Sequence, residues 1–303
     1  MRMSVAVVPA TVRMGRTIGA ILMDSGLLSA RDAERVLIAQ RQQKLRFGEA
    51  AIRLGLVSEA DVQFALSRQF DYDYLRPNDG NTSVGNTISE ELVAAYQPFS
   101  PRVDELRAVR SQLMLRWLDK SEQRQMFAVV GTEPGEGRSY LAANLAVVFA
   151  QLGERTLLLD ANLRTPRQHE LFGIQNKLGL STLLAGHARD DAIVRITDLA
   201  GLFVMPAGPI PPNPLELLGR KAFDQLLLHS RNSFDVVIID TPSLSSGEDA
   251  FIISARAGAA LALARSARTR VGVFSDMLHG LANSGVAVVG SVLNDVPSKN
   301  RRK

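Results

Sequence analysis

Six short apolar runs constrain this chain most: residues 126–130, 156–159, 202–205, 236–239, 260–264 and 286–293. They do not alternate apolar with polar residues, so they read as strands buried on both faces. Helical stretches at 141–152, 214–229 and 270–282 lie between them. Strands alternating with helices predict an α/β fold, a doubly wound and mostly parallel sheet. Ligands of such sheets bind at the carboxyl ends of the strands.

At 303 residues the chain has room for about two domains. With 46% hydrophobic and 22% charged residues it has an ordinary globular composition. It has no cysteine, which excludes disulfides, thiolate catalysis, Fe–S clusters and cysteine-type zinc sites. The histidines, His169, His187, His229 and His279, show no metal-ligand spacing. A net charge of +4 is too mild to call for nucleic acid, and the strongest local charge is the tail Lys299-Asn300-Arg301-Arg302-Lys303. No run approaches the ~20 apolar residues of a membrane span, nor does the start resemble a signal peptide. The expectation is a cytoplasmic protein.

The first 75 residues contain a repeat. Gly19, Gly26, Asp32, Leu37 and Gln40 recur as Gly48, Gly55, Asp61, Leu66 and Gln69, always 29 positions on. Ser29 with Asp32, and Ser58 with Asp61, have the spacing of helix capping boxes. Ala33, Val36, Leu37 and Gln40 fall on one helical face. Two helical hairpins are predicted, packed on each other because neither has a core alone. Turn formers crowd residues 76–89, so domains are expected at 1–75 and 98–303, joined by a linker at 76–97.

The strand at 126–130 runs into Gly131-Thr132-Glu133-Pro134-Gly135-Glu136-Gly137-Arg138-Ser139-Tyr140. Gly135 and Gly137 let the backbone curl so that its N–H groups converge, and the following helix aims its positive end at the same point. Ser139 holds the position that ligates Mg²⁺ in phosphate loops, while Arg138 replaces the usual lysine. Two further strands end in carboxylates, Asp160 and Asp240, which at the ligand edge of the sheet can hold Mg²⁺.

The repeats resemble the N-terminal domain of type II secretion and pilus-assembly ATPases, some of which use the paired motif to bind cyclic di-GMP. Thr17 stands where that pattern has arginine, and only residues 41–45 separate the copies. Cyclic di-GMP binding and plain docking both stay open.

Residues 98–303 resemble the bacterial tyrosine kinases of exopolysaccharide systems, relatives of septum-site and chromosome-partition ATPases. The motifs that carry the likeness are the phosphate loop, Asp160-Ala-Asn162-Leu-Arg164, Asp240-Thr-Pro and Gly208-Pro-Ile-Pro-Pro-Asn-Pro-Leu-Glu-Leu-Leu218. The last is the most specific, because no general fold rule calls for it. The whole chain resembles the branch in which the membrane activator is a separate polypeptide.

The resemblance implies ATP or ADP with Mg²⁺ as cofactors. Thr132 to Tyr140, Asn162, Arg164 and Asn294 would bind the nucleotide, with Asn294 at the adenine. Ser139, Asp160 and Asp240 would hold the metal, and Arg138, Asp160 and Asp240 would be catalytic. Asp104, Arg107 and Arg110 match a segment that mediates ring assembly, implying a homo-oligomer. The implied partner is a membrane chain-length determinant or its cytosolic segment, which would recruit the chain to the inner face of the membrane.

The departures from that pattern are Arg138 for lysine, Asn162 for a second aspartate, Asp104 for glutamate and no tyrosine cluster at the C-terminus. The tyrosines are Tyr72, Tyr74, Tyr96 and Tyr140. Two readings follow: an ATP-dependent tyrosine kinase regulating polysaccharide polymerisation and export, or a nucleotide-gated scaffold. A partition-type ATPase would carry lysine where Glu133 stands.

Overall fold

The structure is a computed structural model that describes residues 17–69, 75, 88–119, 121–122, 124–187 and 192–295. Most of the expected linker, Tyr72, Tyr74 and the basic tail lie outside the described residues. The chain divides into two compact units, Met1–Asp73 and Tyr74–Lys303.

The first unit is helical: α1 (Ile18–Asp24), α2 (Ala30–Gln43), α3 (Phe47–Arg53) and α4 (Glu59–Gln69). The Asp32 N–H donates to Ser29 Oγ at 3.1 Å, and the Ser58 N–H to the Asp61 carboxylate at 2.9 Å. Gly26 and Gly55 follow α1 and α3 at φ +70° and +65°, where glycine turns the chain without a side-chain penalty. The paired Gly19 and Gly48 permit close approach. A Cβ on Gly19 would lie 3.0 Å from the Phe47 ring, and one on Gly48 would lie 2.6 Å from Val62 Cγ1. Leu22, Val36, Ala51 and Ala65 form the centre of this core. The expected face of α2 is corrected at Leu37, which is 45% exposed while Ala33 and Val36 are buried.

The second unit opens with α5 (Val93–Tyr96) and α6 (Pro101–Arg116), then enters the sheet. The order along the chain is β1 (Met126–Gly131), α7 (Arg138–Ala150), β2 (Thr156–Asp160), α8 (Gln168–Leu171), α9 (Leu180–Leu184), β3 (Val194–Arg195), β4 (Leu202–Met205), α10 (Pro214–Leu218), α11 (Lys221–Ser233), β5 (Val236–Asp240), α12 (Asp249–Ala257), β6 (Ala259–Arg265), α13 (Val271–Asn283) and β7 (Ala287–Asn294). The seven strands lie in the order β3-β4-β2-β5-β1-β6-β7. Every neighbouring pair is parallel except β3 with β4.

Both faces are covered, as continuous apolar strands require. Phe127 and Val129 point into a core shared with α5, α6 and α7. Met126, Ala128 and Val130 point into a second core shared with α9 to α13. The helix expected over 214–229 is broken after Leu218, and β7 is half-exposed because it is the edge strand. At the centre of the sheet, β1 carries the phosphate loop between two strands that end beside it.

Asn144, fully buried on α7, fastens the segment before α6 to that helix. Its Oδ1 accepts from the Ala94 N–H at 3.0 Å, and its Nδ2 donates to the carbonyls of Glu91 (3.1 Å) and Tyr140 (3.0 Å). Asn144→Ala leaves buried backbone groups unpaired and should lower stability by about 2 kcal/mol. Thermal unfolding should show a midpoint lower by roughly 4–8 °C; an unchanged midpoint would contradict this role.

Candidate functional site

Gly137, at φ +108°, caps α7, and Gly135 has φ +78°. No side chain fits this curl. A Cβ on Gly137 would lie 2.5 Å from Asn294 Nδ2, and one on Gly131 would lie 2.5 Å from Glu136 Oε2. The Asn294 amide donates to the Glu136 carbonyl at 2.8 Å, so the end of β7 clamps the loop. The free N–H groups at the start of α7 form a positive end suited to phosphate.

Two charged side chains of the loop turn inward. Glu136 is fully buried and accepts hydrogen bonds from the hydroxyls of Thr132 and Thr269. Arg138, 8% exposed, donates from Nε to the Thr241 carbonyl (3.2 Å) and from Nη1 to the Glu133 carbonyl (2.7 Å). Its Nη1 also lies 3.5 Å from Glu136 Oε2. Burial pulls the Arg138 pKa down, and the charges of Asp240, Glu136 and Glu133 oppose that pull.

Asp160 and Asp240 are direct partners across β2 and β5. Both are fully buried. Asp160 Oδ1 accepts from the N–H of Asn162 at 3.2 Å, and Oδ2 from those of Arg167 (3.1 Å) and Gln168 (3.0 Å). Asp240 Oδ2 accepts from Gln168 Nε2 at 2.8 Å, and the same amide donates to the Ser139 carbonyl at 3.1 Å. Burial first, and then the Asp240 charge, push the Asp160 carboxyl up to about 8. Burial also raises Asp240, while hydrogen bonds from the Ser139 hydroxyl and Gln168 and the Arg138 charge lower it.

Asp240 Oδ1 and Gln168 Oε1 are buried with no hydrogen-bond partner. Two orphaned acceptors, a second carboxylate and a serine hydroxyl form an oxygen donor set that fits Mg²⁺. Among the described residues no group of three or more His, Asp or Glu can hold a metal alone. Mg²⁺ does not need one, since it keeps waters and takes phosphate oxygens.

The other expected residues are placed as follows. Asn162 closes a turn on Thr165: its Oδ1 accepts from the Thr165 N–H at 3.0 Å, and its Nδ2 donates to the Thr165 carbonyl at 2.8 Å. Arg164 grips the buried Asp249 at 2.9 and 3.0 Å, tying the loop after β2 to the start of α12. Thr132, Glu133 and Pro134 lie in the loop itself. The Tyr140 hydroxyl is buried without a partner, and its ring lies 5.6 Å from Arg102 Cζ. Tyr140, Leu106, Leu263 and Asn294 help line a cavity of about 370 Å³. Asp104, Arg107 and Arg110 lie on α6, with Arg107 bonded to Asp104 at 3.0 Å and Arg110 to the Val148 carbonyl of α7 at 2.7 Å. Sequence reasoning missed Gln168, Thr269, Arg265 and Arg268. They join the site only through tertiary contact, and no motif spacing marks them.

Residues 127–303 match the CobQ/CobB/MinD/ParA nucleotide binding domain family. The chain is 34% identical over 212 residues to tyrosine-protein kinase YwqD of Bacillus subtilis, covering 69% of this chain and 88% of that protein. It is 32% identical over 206 residues to tyrosine-protein kinase wzc of Salmonella typhimurium, where the match spans 68% of this chain but 28% of the relative. The kinase domain of the Escherichia coli tyrosine kinase ETK superposes with a TM-score of 0.67 at 29% identity, covering 74% of this chain and 86% of that one. The second unit is thus a nucleotide-binding domain of this P-loop class. The chain belongs to the bacterial tyrosine kinase family. The family match begins at residue 127, so it lends no support to cyclic di-GMP binding by the first unit.

The carboxylate pair sets a pH dependence. Asp160 stands near 8 in the fold against an ordinary 3.8, so the fold favours its protonated form. That contribution is complete below about pH 4 and is lost as pH rises through about 8. Asp240→Asn removes the neighbouring charge and should flatten the loss in the metal-free protein. Urea midpoints should diverge in favour of the variant towards pH 8 and converge towards pH 4; parallel curves would contradict the coupling.

Proposed function

We propose that this chain binds ATP with Mg²⁺ and transfers its terminal phosphoryl group to tyrosine, regulating polysaccharide polymerisation and export. The observation that carries the reading is the convergence of the phosphate loop, Ser139 and the carboxylates of Asp160 and Asp240, where Asp240 Oδ1 and the adjacent Gln168 Oε1 lack partners. In this reading the loop amides hold the phosphates, and Asn294 and the cavity beside Tyr140 take the adenine. Ser139, Asp160 and Asp240 hold the metal. Magnesium, when bound, offsets the negative charge spread over the transferring group. With the metal's charge beside it Asp160 would be ionised, and it would then take the proton of the attacking tyrosine hydroxyl as that oxygen bonds to phosphorus and the bond to the leaving ADP breaks.

The likeness to proteins named tyrosine-protein kinases supports this activity. Asp104, Arg107 and Arg110 on α6 support assembly into a homo-oligomer. The partner would be a membrane chain-length determinant or its cytosolic segment, which would bring the chain to the inner membrane face. Among the described residues no helix is long and apolar enough to cross a membrane.

Two observations favour the scaffold reading. Arg138 gives Nε and Nη1 to protein carbonyls, and Asn162 contributes no second carboxylate. Kinase activity should therefore be weak in isolation and raised by the partner segment. A misplacement near 1 Å can lower a rate by about a hundredfold.

A time course with labelled ATP tests this. Asn162→Asp with Arg138→Lys should raise phosphotyrosine formation, and fast autophosphorylation of the unmodified chain alone would contradict weak activity in isolation. Calorimetry should show Mg·ADP binding to the wild type and none to Gly137→Val, whose side chain would collide with Asn294 and strain the left-handed turn that shapes the phosphate cradle; equal binding would overturn the site.

A further inference from the structure

The phosphate loop carries the wrong net charge for its ligand. Between Thr132 and Ser139 stand Glu133, Glu136 and Arg138, one basic and two acidic residues, for a net of −1. A loop that binds polyphosphate normally adds a lysine whose charge reaches the β- and γ-phosphates. Arg138 is poorly placed for that task. Its Nε and Nη1 are committed to the carbonyls of Thr241 and Glu133, and its charge is offset by the buried Glu136. The Glu136–Arg138 pair works as an internal strut.

A second source of positive charge stands beside the loop. The segment after β6 is fixed against it: the Thr269 hydroxyl donates to Glu136, and the Ser266 N–H donates to the Asn294 carbonyl at 2.9 Å. The turn passes through Ala267 at φ +57°, a left-handed conformation that few alanines adopt. That turn presents two arginines to Gly135. Arg265 Nη1 donates to the Gly135 carbonyl at 2.8 Å. Arg268 Nη1 lies 3.2 Å, and Cζ and Nη2 3.6 Å, from where a Cβ on Gly135 would stand. Arg265 is therefore anchored, whereas the exposed Arg268 guanidinium has no hydrogen-bond or ion-pair partner among the described residues. Adding these two arginines takes the local charge from −1 to +1.

We propose that Arg268 is the phosphate-facing cation of this site, taking from outside the loop the task that the loop's own arginine has given up. The inference rests on the nucleotide reading above. Arg268 faces the phosphates rather than the adenine, because its neighbour is the loop glycine and not the cavity lined by Tyr140 and Leu263. A guanidinium also suits the task, since its planar fork pairs with phosphate through two hydrogen bonds.

Isothermal calorimetry on the full chain tests this with Mg·ADP and adenosine as separate probes. Arg268→Ala should weaken Mg·ADP by roughly tenfold or more, the scale of one charge-assisted contact, while adenosine binding stays unchanged. Arg268→Lys, which keeps the charge but not the planar fork, should recover part of the lost affinity. The ADP affinity of Arg268→Ala should also depend less on salt, because one phosphate contact is gone. Thermal unfolding without ligand should match the wild type, since the side chain is exposed. Equal ADP affinity in wild type and Arg268→Ala overturns the proposal, as does an equal loss for ADP and adenosine. If the wild type binds no Mg·ADP, the nucleotide reading itself falls and takes the proposal with it; that outcome is distinct, because it appears before any variant is made.

Discussion

Two carboxylates that would repel each other are held side by side in the interior of this domain. Asp160 and Asp240 end neighbouring parallel strands, and the register of β2 with β5 makes them direct partners. Neither reaches water. Burial alone disfavours their charged forms, and each disfavours the other's. The fold tolerates the pair by surrounding it with donors: three backbone N–H groups on Asp160, and the Gln168 amide at Asp240. On the function proposed above, a cation would complete it.

The rest of the domain holds that pair in place. The sheet is buried by helices on both faces, so a one-residue slip of β1, β2 or β5 would exchange the side chains packed into its two cores. Arg164 and Asp249 tie the loops that follow the two aspartates. Gln168 joins Asp240 to the first turn of α7. On the far side, Asn294 and Thr269 hold the loop through Glu136. The strand-end carboxylates, the glycine loop and the segment after β6 form one connected polar network.

Much of this was legible in the sequence. Continuous apolar runs ending in Asp160 and Asp240 predicted buried parallel strands, and the structure places β2 and β5 there with the same ends. The glycines of the loop announced a curled backbone before a helix, and Gly135 and Gly137 there take positive φ angles. Strand order was not legible, since it is set by which helix covers which face. Nor was the antiparallel β3, too short at two residues to leave a pattern. Leu37 kept helical spacing yet faces outward, because a periodic position says nothing of whether a neighbour covers it. Gln168, Thr269, Arg265 and Arg268 escaped for a related reason: they reach the site from loops far along the chain. Arg138 and Asn162 stood out as departures in the sequence. Only the structure shows that one is an internal strut and the other closes a turn.

The central claim is that the phosphate loop and the carboxylate pair form one nucleotide and metal site. Hydrogen exchange with and without Mg·ADP tests it most directly, residue by residue. The account predicts slowed exchange concentrated at the amides of Thr132–Tyr140 and around Asp160, Gln168 and Asp240, with no such pattern in Gly137→Val. Binding of Mg·ADP that leaves those amides unprotected would contradict it.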